Sequence, residues 1–188
     1  MTRTAGTAVL ACLLTLVLVA SEADAQVDAE HPPQPPVERL AALEPFVGFY
    51  THADQRWMDV GPFAGTLEVR PAVKGWYVEW VIDTHHRAID RQLRMIMTWD
   101  ENQGHYRVWR FETLPQQPPG TVEARARFVG DTLVMEWEGV PGPRGGAGTF
   151  RNRAFMDGPD ELVIISDVLP DGTDRWIQLG EWRNERRM

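Results

Sequence analysis

After Gly48, apolar and polar residues alternate with a period of two, and turn-forming residues interrupt the runs every eight to twelve positions. A strand points successive side chains to opposite faces, so this is the pattern of an all-β sandwich or barrel. It predicts about nine strands beyond an opening run near 46–52, in runs near 64–70, 75–84, 91–99, 104–112, 121–129, 131–138, 148–156, 160–168 and 174–183. Asp100-Glu101-Asn102-Gln103-Gly104, Gly130-Asp131, Asp157-Gly158-Pro159 and Pro170-Asp171-Gly172 supply turn chemistry between them. Connections this short force neighbouring strands to run antiparallel, giving an up-and-down meander barrel.

Several strands sort their faces plainly. Trp76, Val78, Trp80 and Ile82 alternate with Tyr77, Glu79, Val81 and Asp83; Leu93, Met95, Met97 and Trp99 share one face, as do Leu133, Met135 and Trp137. These sets are assigned to the interior, and acids such as Glu68, Glu79, Glu136 and Glu138 to the water side. Large rings can simply fill a small barrel, or they can line a cavity for an apolar or ring-bearing ligand. Two strands resist the sorting: Arg107 shares a face with Trp109 and Phe111, and Glu181 and Arg183 share one with Ile177 and Leu179. The two rings are the larger apolar load, so Arg107 is expected inside the barrel. A buried guanidinium keeps its charge and needs an acid or an anionic ligand. Glu181 is the first candidate partner and Asp167 the second.

Upstream of the strands, Val37, Leu40, Ala41 and Leu43-Glu44 fit a short amphipathic helix stopped by Pro45, a plug for the barrel. Residues 26–36 are polar and end His31-Pro32-Pro33-Gln34-Pro35-Pro36, a composition that favours a flexible tether. Residues 1–25 read as a secretory signal, with Arg3 before an apolar run from Ala8 to Ala20 and small residues at Ala23 and Ala25, so cleavage is expected before Gln26. A run of about 13 apolar residues is too short to span a bilayer comfortably. No later segment replaces it, so no membrane span is expected, and the single domain of residues 37–188 is placed in the periplasm or outside the cell.

Loss of Arg3, Glu22 and Asp24 with the leader leaves 18 basic and 25 acidic residues. That balance argues against a nucleic-acid or anionic-membrane surface, both of which need clustered positive charge. The single cysteine, Cys12, lies in the leader, so disulfides, thiolate catalysis and cysteine metal sites drop out of the mature chain.

Thr98-Trp99-Asp100 followed by Tyr106-Arg107-Val108-Trp109-Arg110-Phe111-Glu112 resembles a family of bacterial lipocalin-like proteins catalogued only as a domain of unknown function. An aromatic-Asp pair closing one strand and a Tyr-Arg-x-Trp-x-Phe strand after it are that family's pattern. Leu40, Leu43, Phe46 and Gly48 are similar to its leader of spaced leucines before Val-Gly-x-Trp, with Tyr50 where tryptophan is usual. Pro170-Asp171-Gly172 and the closing Glu181 and Arg186 are similar to its Asp-Gly turn and C-terminal Glu and Arg. The resemblance runs over residues 38–186 and implies a lipocalin or calycin type of barrel, with no settled activity.

Catalytic patterns are sparse. After the leader the only serine is Ser166, outside any Gly-x-Ser-x-Gly, which speaks against a serine hydrolase. Gly145-Gly146-Ala147-Gly148 follows Pro141 and Pro143 and precedes no lysine, so it reads as a hairpin tip at the barrel rim rather than a phosphate loop; Pro115 to Gly120 reads as a second rim loop. His52, His85, His86 and His105 lack metal-site spacing, and adjacent His85 and His86 point to opposite faces of a strand; no metal and no cofactor is assigned. Haem barrels of this type hold iron through a late histidine, and none follows His105. The residues therefore suggest an exported protein that binds a small apolar or amphipathic molecule between Trp80, Trp99 and Trp109, oriented by Arg107 with Glu181. Two other classes stay open: a cofactor-free isomerase or hydrolase using Arg107 and Glu181, and a filled barrel acting as an envelope or interaction module.

Overall fold

The computed structural model describes residues 35–56, 62–86, 89–114, 117–141 and 147–187. The expected signal segment, and the expected tether up to residue 34, lie outside the described residues. Ten strands form the rest: β1 Gly48–Arg56, β2 Pro62–Ala72, β3 Tyr77–His86, β4 Ile89–Asp100, β5 His105–Leu114, β6 Gln117–Val129, β7 Thr132–Pro141, β8 Ala147–Met156, β9 Glu161–Pro170 and β10 Ile177–Arg187. Each pairs antiparallel with its neighbours in sequence, and β1 closes on β10 through Phe49↔Arg187, Tyr50↔Arg186 and Thr51↔Glu185. The protein is thus a closed up-and-down barrel, and closure leaves no free sheet edge. Among the described residues no helix is long and apolar enough to cross a membrane.

The plug is present. A helix α1, Val37–Ala41, and a 3-10 turn, Glu44–Phe46, lead into β1, and Leu40, Leu43 and Phe46 are buried in the barrel core. Phe46 packs against Trp80 at 5.8 Å between ring centroids and against Phe128 at 6.2 Å. Hydrogen bonds fix the segment from three strands: Tyr106 donates to the Arg39 carbonyl at 2.6 Å, Tyr50 to the Phe46 carbonyl at 2.9 Å, and Arg186 to the Pro45 carbonyl at 2.7 Å. Arg186 also donates to the Tyr50 hydroxyl at 2.8 Å, so the arginine of the C-terminal motif latches the plug.

The three plain faces lie inward: Val78, Trp80, Ile82, Leu93, Met95, Met97, Leu133, Met135 and Trp137 are all buried. Trp76 precedes β3, is half-buried and accepts a hydrogen bond from Thr98 at its carbonyl. Glu79 faces outward as expected yet is largely covered, because Arg70 and Arg94 lie over its carboxylate. The stretch expected as a rim loop before residue 121 is mostly strand, since β6 starts at Gln117 and pairs with Leu114. Pro118 and Pro119 fit there because the β5–β6 ladder bulges between Glu112 and Leu114, where missing donors cost little. Residues 142–146 of the glycine-rich tip lie outside the described residues. At its end Gly148 is the second residue of β8, where a Cβ would stand 2.8 Å from the Leu169 carbonyl oxygen.

The two ambiguous strands resolve against the expectation. In β5 it is Tyr106 and Val108 that are buried, while Arg107, Trp109 and Phe111 face outward, Phe111 being 42% exposed. Register decides this: Trp99 stands opposite Tyr106 and Met97 opposite Val108, and directly opposed residues share a face. In β10 a bulge between Gln178 and Gly180 breaks the alternation. Leu179, Trp182 and Asn184 are buried, Ile177 is exposed, and Glu181 turns outward to Arg183 at 2.9 Å.

Candidate functional site

The five residues expected to bind ligand do not meet in one cavity. Trp80 is fully buried against the plug residue Phe46. Trp99, half-buried at the same end, packs edge-on to Tyr106 at 5.0 Å beneath the Arg39 guanidinium at 4.7 Å. Arg107 and Trp109 do come together, but on the outer surface, with the guanidinium 5.0 Å from the ring centroid. There Arg107 pairs with Glu123 at 2.8 Å and Asp100 at 3.8 Å, far from Glu181, which lies on a strand five places around the barrel. Asp167 is held on the outer face by Arg151 and Arg153, with Trp176 stacked 3.8 Å from the Arg151 guanidinium carbon. Arg107 is therefore a surface ion-pair residue, and neither of its expected acid partners reaches it.

A groove of about 680 Å³ lies beside it on the outer face, lined by Arg107, Glu123, Arg125, Glu136 and Glu138, with Ala124 and Trp137 at its floor. It opens where β6 parts from β7: the ladder ends at Arg125↔Glu136, and Ala124 and Trp137, next in line, are not partners. Arg107 is spent on Glu123, and Arg125 on Glu138 at 3.0 Å, so the groove's cations are already paired.

The chemistry inside the barrel lies at the end away from the plug. Arg91 extends the inward face of Leu93, Met95, Met97 and Trp99, while Arg110 and Glu112 extend that of Tyr106 and Val108. Their side chains are 8%, 12% and 17% exposed. Arg91 pairs with one Glu112 oxygen and Arg110 with the other, so two guanidiniums share one carboxylate. Burial pushes the Arg110 pKa down, Glu112 pulls it back up, and the neighbouring Arg91 pushes it down again. Arg110 stays protonated all the same, as arginine does. Its guanidinium lies 5.1 Å from the Trp137 ring centroid, and Trp137 stacks on Phe150 at 6.1 Å and 10°. The Arg110 Nε and the Trp137 Nε1 are buried with no acceptor among the described residues.

A second inward polar group sits on β1 and β10. Asn184 donates to the carbonyls of Leu162 and Trp182, which leaves its Oδ1 to accept from His52 Nδ1 at 3.1 Å. The neutral Nδ1–H tautomer of His52 follows from this pairing. Its ring packs against Phe63 at 5.6 Å and Trp182 at 6.4 Å, over Gly65, whose absent Cβ would stand 2.9 Å from Nε2. Burial lowers the His52 pKa, and the Asn184 bond only partly offsets it. The unfolded chain therefore binds this proton at higher pH than the folded one, and His52's contribution to stability is lost as pH falls below about 6.5. Thermal melts between pH 7 and pH 5 should show a steeper fall for the wild type than for His52→Gln; parallel curves would remove His52 as the titrating group. Of the other histidines, His85 pairs with Asp90 at 3.1 Å on the surface and the His86 side chain lies outside the described residues. Among the described residues no group of three acids, histidines or cysteines is placed to hold a metal.

Arg91, Arg110 and Glu112 were missed as site residues because charged side chains on strands are ordinarily read as solvent-facing. The signal was present for Arg91, which lies two positions before Leu93 on a face already assigned to the interior.

Fold and site together define an antiparallel ten-stranded barrel with one end plugged and an arginine pair inside the other. No family model and no curated protein matches the chain. Among solved structures it is similar to the crystal structure of Rv2717c from M. tuberculosis, at 15% identity and a TM-score of 0.51, over 83% of this chain and 100% of that one. At this identity the likeness establishes the shared barrel fold alone.

Proposed function

We propose that this protein is an exported binding protein whose barrel takes up a small amphipathic molecule at the end opposite the plug. The observation that carries this reading is the buried Arg110 guanidinium, which shares its one carboxylate with Arg91 and keeps a donor without an acceptor. A buried cation so thinly compensated is costly unless a further acceptor completes its shell. The plug end is filled by Phe46, Trp80 and Tyr50, so the molecule belongs among Trp137, Phe150 and the strands' opposite ends. A recognition role for the barrel accounts for the cost of two interior arginines, whereas a purely structural module gains nothing from them. Export rests on the leader of residues 1–25.

Titration with 8-anilinonaphthalene-1-sulfonate, an anionic amphipathic dye, tests the reading. One saturable site with enhanced, blue-shifted emission is expected, and the dye should be displaced by whatever organic extract the purified protein releases. Absence of any saturable site on the folded protein would overturn it.

A further inference from the structure

We propose that the molecule bound in the barrel presents a single carboxylate to Arg110, beside the indole of Trp137. This deepens the binding-protein reading and rests on it. Arg110 projects from β5 into the barrel and uses Nη2 on Glu112, while Nε, on the same planar fork, has no acceptor. A guanidinium fork matches a carboxylate in shape and is weakly hydrated, so a carboxylate meets this donor without a large desolvation penalty. The Trp137 ring beneath the guanidinium contributes a second buried donor, Nε1, from β7, two strands along the barrel. Trp80 and Trp99 also keep indole N–H groups without acceptors, but they lie at the plugged end, away from this cation.

Charge count narrows the head group further. Any anion at Arg110 lies close to the Glu112 carboxylate, so each added negative charge is opposed by that neighbour. A carboxylate brings one charge and a phosphate monoester nearly two, so the geometry favours the carboxylate. The body of the molecule is apolar and packs on the Trp137–Phe150 stack, with Val122 directly opposite Arg110 on β6.

Calorimetric titration of the full-length protein with dodecanoate, 1-dodecanol and dodecyl phosphate tests this. Dodecanoate is expected to bind most tightly, and Arg110→Gln to weaken it by about tenfold to a hundredfold, the value of a charge-assisted hydrogen bond in a desolvated site, while changing dodecanol little. Arg110→Lys, which keeps the charge and loses the fork, should fall between them. If dodecanol binds as tightly as dodecanoate, or if folded Arg110→Gln binds dodecanoate unchanged, the carboxylate assignment fails and the binding reading stands. Tighter binding of dodecyl phosphate would replace the head group by a phosphate. Failure of all three ligands on a protein that binds the naphthalenesulfonate dye overturns this inference alone, and failure of the dye as well overturns both. The three-ligand comparison on the wild type decides the matter even if the Arg110 variants do not fold.

Discussion

Glu112→Ala is expected to destabilise the fold by about 3–5 kcal/mol in urea unfolding, because it removes the carboxylate on which two inward guanidiniums meet and leaves the Arg110 charge uncompensated. Glu112→Gln should also lose stability, since it keeps acceptors but removes the charge that offsets both arginines. By contrast, Arg107→Ala breaks only surface pairs, with Arg107 40% exposed and Glu123 53% exposed, and is expected to cost no more than about 1 kcal/mol. The contrast inverts the expectation drawn from the apolar load of Trp109 and Phe111, which put the costly buried charge at Arg107. Equal effects at the two positions would mean that the Glu112 cluster is open to water. Dodecanoate added to Glu112→Ala should recover part of the lost melting temperature, since a bound carboxylate supplies the missing charge.

Phe46→Ala should cost about 3–5 kcal/mol, the range for deleting a buried aromatic ring from a site that cannot collapse around the void. Collapse is hindered here because Trp80 and Phe128 on the barrel wall flank the ring, and Tyr50 and Arg186 hold the Phe46 and Pro45 carbonyls in place. Val37→Ala in the same segment removes a side chain that is 64% exposed and should stay within about 0.5 kcal/mol. A small effect at Phe46 in thermal unfolding would show that the plug is a loosely docked segment rather than part of the core.

Much of the site was legible, though not where charge drew attention. The Asp100–Gly104 connection joins β4 to β5 so that Trp99 faces Tyr106 across the ladder. Once Trp99 is placed inside, Tyr106, Val108, Arg110 and Glu112 must follow it. Side-chain size within one strand pointed the other way, because Trp109 and Phe111 carry more apolar surface than Tyr106 and Val108. The outer surface tolerates them: Trp109 lies between Tyr77, 6.3 Å away, and the stacked Arg107. No such pairing argument was available for β10, where Gly180 marks a bulge that only the ladder with β9 reveals.

By itself the sequence determined the class of fold, the plug and the faces of β3, β4 and β7, because alternation, turn residues and the short helix are local signals that act over a few residues. Tertiary structure alone decided which charges are interior. That choice depends on register between strands and on barrel closure, which pairs β1 with β10 across the whole chain and turns Arg186 into the plug's latch. It also brought Arg91 and Arg110 from neighbouring strands onto one carboxylate, an arrangement whose energetics exist only once water has been excluded from between them.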